Sequence, residues 1–233
     1  MKTLLTVMLL VMLSGCGDKD YYFPGAHKEE LMKTLKITDL SDQKSVVSTV
    51  REYVYMNNIS PSGWPLRPPF GAVSPIDTRG DFYWQFLEWK AGSKKYQCGE
   101  LGYVQAWMLE ELGIPAREVA LATVDYFSGG IYTTHVTTEA YLGGRWVISD
   151  ATFNVTLQCN GGENTNVLGL RECLSAGGTV TWLSGPAYRA PLSLEEYFTP
   201  FANLLYAYET NFAYSSQLRK EPVQSHPYAG WVR

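Results

Sequence analysis

The pair Gly143-Gly144 constrains this chain more than any other feature. It separates two runs rich in β-branched and aromatic residues, Thr133 to Leu142 and Arg145 to Phe153. A two-residue glycine loop between such runs is the signature of a β-hairpin. The loop also sets a register. With Leu142 facing Arg145, Thr137 falls opposite Asp150 and His135 opposite Thr152. His135 and Asp150 then become diagonal neighbours on one face of the ribbon, about 7–8 Å apart at the backbone and within reach of a side-chain hydrogen bond. A loop longer or shorter by one residue would send them to opposite faces. Only three histidines occur in the chain, so one of them falling in register with an aspartate carries weight.

A third residue joins them from upstream. Cys98 opens a segment in which Leu101, Val104, Met108, Leu109 and Leu112 recur at mostly three- and four-residue spacing, and Gly113 with Pro115 supplies the stop, so a helix is expected from Cys98 to Leu112. A thiol at a helix N-terminus meets the positive end of the macrodipole, which favours thiolate, the form that attacks. Taken alone, Cys98 is equally compatible with a small core residue. His135 and Asp150, taken singly, read as a satisfied strand histidine and a surface aspartate. Together the three make the set that nucleophilic catalysis requires: a thiol, an imidazole to take or hold its proton, and a carboxylate to fix the imidazole tautomer and stabilise its charged form. Acyl chemistry also needs an oxyanion donor. The backbone N–H of Cys98 is one candidate, and Gln85 or Gln97 is a candidate side-chain donor.

The order Gln97-Cys98-Gly99, a helix, Leu112-Gly-Ile-Pro-Ala-Arg117, a strand, then His135-Val-Thr-Thr-Glu-Ala-Tyr-Leu-Gly-Gly-Arg-Trp-Val-Ile-Ser-Asp150 resembles the transglutaminase-like superfamily. The resemblance covers roughly residues 80 to 155. It implies an α+β, papain-related fold in which the cysteine helix packs on an antiparallel sheet carrying His and Asp. It also implies acyl transfer through a thioester, with Cys98 as nucleophile, His135 as base and Asp150 as orienting acid, and with no cofactor and no metal. One departure stands out. Relatives often carry an aromatic residue two places after the histidine, and this chain has Thr137. Because such relatives include cross-linkers, deamidases, peptidases, peptide N-glycanases and proteins that have lost activity, two readings stay open. The first is a thiol enzyme acting on amide bonds of a protein, peptide or cell-wall peptide, as peptidase, amidase or transamidase. The second is a catalytically inactive binding or scaffold lipoprotein of the same fold.

The lipoprotein expectation comes from the N-terminus. Met1-Lys2 precedes an apolar run from Leu4 to Leu13, too short to span a bilayer comfortably, and Leu13-Ser-Gly-Cys16 follows. This end resembles the bacterial lipobox, in which the cysteine is lipidated and becomes the first residue of the mature chain. Ordinary signal cleavage and a single membrane anchor are the alternatives. Residues 1–15 are thus read as a signal peptide, 16–26 as a lipidated tether and 27–233 as one domain. The chain is expected at the bacterial cell envelope facing the periplasm, held to the membrane through Cys16. Gly17 rather than Asp after Cys16 leans toward the outer membrane.

An export compartment permits disulfides. With Cys16 assigned to lipid and Cys98 to catalysis, Cys159 and Cys173 are expected to pair across a Gly- and Asn-rich loop, worth about 3 kcal/mol by the chain-entropy model. Two free thiols, or a disulfide to Cys98, are the alternatives.

With 233 residues, 45% hydrophobic and 18% charged, the chain suits one globular domain with a sizeable core. Loss of Lys2 with the signal would take the formal charge from -4 to -5. No basic patch or nucleic-acid motif appears, so nucleic acid is not an expected partner. Helices are expected from His27 to Lys36 and from Ser41 to Asn57, the second with Val46, Val47, Val50, Val54 and Tyr55 inward. Pro61, Pro65, Pro68, Pro69 and Pro75 mark an irregular crossing over 59–75. A fourth helical stretch is expected from Leu194 to Glu209, broken or kinked at Pro200. Trp64, Trp84 and Trp89 are candidates to line an apolar cleft.

Overall fold

The computed structural model describes residues 25–58, 86, 90, 98–123, 134–184 and 204–210. The expectations for the signal, the lipidated Cys16, the proline-rich crossing, Gln85, Gln97, Trp64, Trp84 and Trp89 lie outside those residues.

Two helices come first, α1 (Lys28–Leu35) and α2 (Gln43–Asn58). In α2 the five residues read as an inner face are all buried, together with Arg51 and Asn58. The cysteine helix α3 (Cys98–Glu111) is buried more completely than a single stripe requires, since every residue from Leu101 to Glu111 except Tyr103 is buried. The reason is its central position, with α1 and α2 on one side and the sheet on the other. Gly102 allows the close approach to the sheet, because a Cβ there would meet Val136 Cγ1 at 3.2 Å. The helix stops where expected. Gly113 turns left-handed at φ 83°, its N–H donates to Glu110 O, and Ile114 N donates to Leu109 O at 2.9 Å, which closes a Schellman-type cap.

The principal sheet is antiparallel with strand order β3-β2-β1-β6, built from β1 (Ala116–Thr123), β2 (Thr134–Leu142), β3 (Arg145–Ser149) and β6 (Leu204–Thr210). Leu142 pairs with Arg145 and Thr138 with Ser149, the register read from the glycine pair. Gly143 and Gly144 sit at φ 58° and 86°, as the type I′ loop demands of both its residues. The return strand is shorter than expected. Rather than continuing to Phe153 it ends at Ser149, and Asp150 exchanges backbone hydrogen bonds of 2.8 and 3.0 Å with Val155 around a turn over 151–154. Thr152 is therefore not opposite His135. Asp150 and Asn154 are turn formers, and Asn154 adopts φ 55°.

A second departure lies near the C-terminus. Residues 204–210, assigned in part to a helix, form β6 and pair with β1. The run Leu-Leu-Tyr-Ala-Tyr-Glu-Thr contains strand-favouring tyrosines and threonine, and the open edge of β1 supplies backbone partners that outweigh local helical periodicity.

The span between the second pair of cysteines is also more ordered than a loop. Strands β4 (Val155–Cys159) and β5 (Val180–Ser184) form a separate two-stranded sheet, and helix α4 (Val167–Ser175) lies between them in sequence. Asn166 caps α4, its Oδ1 accepting from Gly169 N at 2.8 Å. A disulfide joins Cys159 at the end of β4 to Cys173 on α4.

Apolar residues gather in two cores. The larger holds the helices against one sheet face, with Leu31, Val50, Val54, Trp107, Met108, Ala140 and Val147 among its members. The smaller lies with Val119, Leu121 and Ile148 beneath Phe153, Val155, Leu157, Val167 and Leu170. A buried polar joint runs beside it. Glu139 is fully buried, accepts from Arg117 Nε at 2.8 Å and Nη2 at 2.6 Å, and with its other oxygen accepts from Val167 N at 2.7 Å. It thereby ties β1, β2 and the start of α4. Arg117, which the sequence offered only as part of a motif, also stacks 4.0 Å from the centre of the Trp146 ring.

Candidate active site

Each candidate side chain is placed by an element whose local sequence explains it. Cys98 is the first residue of α3, partly exposed and not in a disulfide. The start of α3 lies against the start of β2, where a Cβ on Gly99 would stand 4.0 Å from Val136 Cγ2. His135 is the second residue of β2, and Asp150 lies one step past the end of β3.

The register brings the last two together. His135 Nε2 donates to Asp150 Oδ2 at 2.6 Å, a length typical of a charge-assisted bond. Asp150 is fully buried and His135 is 7% exposed. The second carboxylate oxygen, Oδ1, accepts from Phe153 N at 3.1 Å. Phe153 also packs its ring 5.4 Å from the imidazole, so one residue touches both members of the pair. With Nε2 engaged by Asp150, the hydrogen bond to Cys98 falls to the other ring nitrogen, Nδ1.

These surroundings decide the charge on the imidazole. Burial by itself pushes His135 down, but the charge and hydrogen bond of Asp150, and then the hydrogen bond and charge of Cys98, outweigh it and raise the group to about 10. His135 is therefore protonated near neutral pH. The charged ring thus lies between Asp150 and Cys98.

Sequence reasoning missed several contributors. Phe153 is expected in a strand, although Asp150 is a residue type that forms turns by accepting from a nearby backbone N–H, here that of Phe153. Gln105, two turns along α3 from Cys98, is fully buried and donates through Nε2 to Ser149 Oγ at 2.7 Å, next to Asp150 in the chain. Arg51 reaches the turn from α2 and donates through Nε to Asn154 Oδ1 at 3.0 Å. Nothing in the local sequence signals either long-range bond. Thr137, the departure from the family pattern, is only 1% exposed, so its side chain sits in the interior rather than on a substrate-facing surface. No group of three or more His, Cys, Asp or Glu among the described residues could hold a metal ion.

Comparison with known proteins gives a match at the level of family. Residues 39–151, just under half of the chain, match the family described as the Transglutaminase-like superfamily. Among solved structures, the crystal structure of a "Putative Cysteine Protease" from Cytophaga hutchinsonii is similar over 60% of this chain and 44% of its own, with 19% identity and a TM-score of 0.38. The chain thus spans less than half the length of that protein. None of the curated proteins matches.

Proposed function

We propose that this chain, whose residues 39–151 match the transglutaminase-like superfamily, is an exported, lipid-anchored thiol enzyme that acts on amide bonds of a protein, peptide or cell-wall peptide. The observation that carries this reading is the 2.6 Å bond from His135 to Asp150, on an imidazole whose other nitrogen is left for Cys98.

In the proposed mechanism the Cys98 sulfur attacks the amide carbonyl, and the developing oxyanion is met by the backbone N–H at the head of α3. Collapse of the tetrahedral intermediate breaks the C–N bond. His135 passes its Nδ1 proton to the departing amine, leaving an acyl thioester on Cys98. Neutral His135 then takes a proton from the acceptor as it attacks, releasing the acyl product and restoring the thiolate-imidazolium pair. Water as acceptor gives hydrolysis, and an amine gives transamidation. Asp150 keeps Nε2 protonated throughout and stabilises the charged ring. Cys16 is proposed as the lipidation point, holding the domain at the envelope on the periplasmic side, with the outer membrane favoured by Gly17.

The test is turnover of peptide and cell-wall amide libraries by the purified protein. Cys98→Ala and His135→Ala should abolish turnover almost equally, and their combination should add little, because the groups act as a unit. Asp150→Asn should lose a smaller share. Full activity in Cys98→Ala would overturn the reading. For the anchor, Cys16→Ser should leave the protein unprocessed or mislocalised, and unchanged mature mass and detergent partitioning would refute lipidation.

A further inference from the structure

Asp150 is held by a short loop, and that loop is held from a distance. Its ends are the two-way backbone bridge between Asp150 and Val155, and inside it Phe153 N–H supports Asp150 Oδ1. The residue that closes the turn is Asn154, fully buried and left-handed at φ 55°, a conformation that non-glycine residues adopt reluctantly. The partner of its side-chain oxygen is Arg51, 5% exposed and 103 positions earlier on α2. Arg51 is itself steadied by Ser48, whose Oγ accepts from Nη2 at 3.2 Å. The Nδ2 of Asn154 has no partner among the described residues, so the side chain is fixed in place through its oxygen.

We propose that Arg51 and Asn154 form a clamp that positions Asp150 against His135, so that a helix outside the reacting groups sets the orientation of the acid. Neither residue touches the reacting atoms, and both are positioning residues. The chain of contacts is explicit: Arg51 fixes Asn154, Asn154 fixes the turn, the turn presents Phe153 N–H, and Phe153 N–H fixes the carboxylate whose other oxygen holds the imidazole. The proposal rests on the reading of Asp150 as the group that orients His135. Without the clamp the turn loses its fixed position, and Phe153 N–H no longer aligns the carboxylate with Nε2.

The test is an NMR titration of His135, tractable in a chain with three histidines. Asn154→Gly keeps the left-handed backbone at no steric cost and removes the acceptor, and Arg51→Met removes the donor while keeping an apolar stem. Each should lower the titration midpoint of His135 by about one unit, a tenfold change in its protonation equilibrium. The double variant should shift it little further, and Arg51→Lys should restore part of the shift. Asp150→Asn separates the two layers of the argument. If it leaves the His135 midpoint unchanged, the pairing of His135 with Asp150 and the clamp are both overturned. If it lowers the midpoint while Asn154→Gly and Arg51→Met leave it unchanged and lower only the melting temperature, the pairing stands and the clamp alone is overturned.

Discussion

Cys98 stands at the head of a helix enclosed on nearly every side, with Trp107, Met108 and Leu109 fully buried against α1, α2 and the sheet. Asp150 stands where a strand stops, in a turn defined by hydrogen bonds from Val155, Phe153 and His135 and by the bond between Arg51 and Asn154. Apolar packing is non-directional, so it fixes where an element lies and leaves the head of the helix free to present its thiol. Hydrogen bonds are directional and fix the rotation of a carboxylate. A nucleophile, the role proposed for Cys98, needs access, whereas an orienting acid, the role proposed for Asp150, needs a fixed rotation, and the two regions differ accordingly.

This contrast is tested most strongly by removing one support from each side. Trp107→Ala should cost about 3–5 kcal/mol through the cavity it leaves. Glu139→Ala should cost a similar 3–5 kcal/mol, because it strands Arg117 and the first N–H of α4 in the interior. Urea unfolding measures both. A Glu139→Ala protein as stable as the parent would mean that the acid side is held by packing after all.

The disulfide belongs to the acid side, where it ties α4 to β4. Cys159→Ala and Cys173→Ala should each cost about 2–4 kcal/mol, and the double variant little more, since each removes the same bond. Free thiols at both positions in oxidised, exported protein, seen by mass spectrometry, would remove this support.

The two sides should also respond to pH in different windows. Glu110, near the C-terminal end of α3, is pushed up from 4.5 to about 7 by burial, partly offset by its bond from Ala116 N. Its folded value is raised, so the stability it contributes is complete below pH 4.5 and is lost as pH rises through about 7. His135 is also raised, from 6.5 to about 10, so its contribution is complete below 6.5 and is lost as pH rises through about 10. Urea midpoints against pH should therefore fall in two steps. Glu110→Gln should flatten the lower step and Asp150→Asn the upper. A single step unaffected by Asp150→Asn would contradict the electrostatic coupling on the acid side.

What could be read in advance follows the same division. Local patterns sufficed for α1, α2, α3 and the β2–β3 hairpin, where glycines at positive φ and spaced valines act over a few residues. They placed His135 and Asp150 on one face before any distance was known. The end of β3 differs from the expectation because Thr152 and Phe153 favour a continuing strand, while the turn is dictated by Asp150 and Asn154 together with an arginine about a hundred positions away. The strand β6 was misread for a related reason, its partner β1 being remote in sequence. Helix α4 was hidden by the glycines and asparagines that precede it, although Asn166 is a good N-cap. Packed helices announce themselves locally, and polar joints do not.

The smallest effect expected is at Thr137. Its hydroxyl is buried with no hydrogen-bond partner among the described residues, so the nearly isosteric Thr137→Val should change stability by no more than about 1 kcal/mol, in the stabilising direction. A clear loss of stability would indicate that the hydroxyl belongs to the polar side of the comparison.

The central claim is that His135, set by Asp150, keeps Cys98 reactive. It is tested most directly by the rate of Cys98 carboxamidomethylation with iodoacetamide as a function of pH, followed by mass spectrometry in the parent, His135→Ala and Asp150→Asn proteins. The account predicts rapid labelling of the parent that persists to mildly acidic pH, its loss in His135→Ala, and an intermediate profile in Asp150→Asn. A Cys98 that stays inert in the folded protein, or that labels with the same pH dependence when His135 is removed, would contradict it.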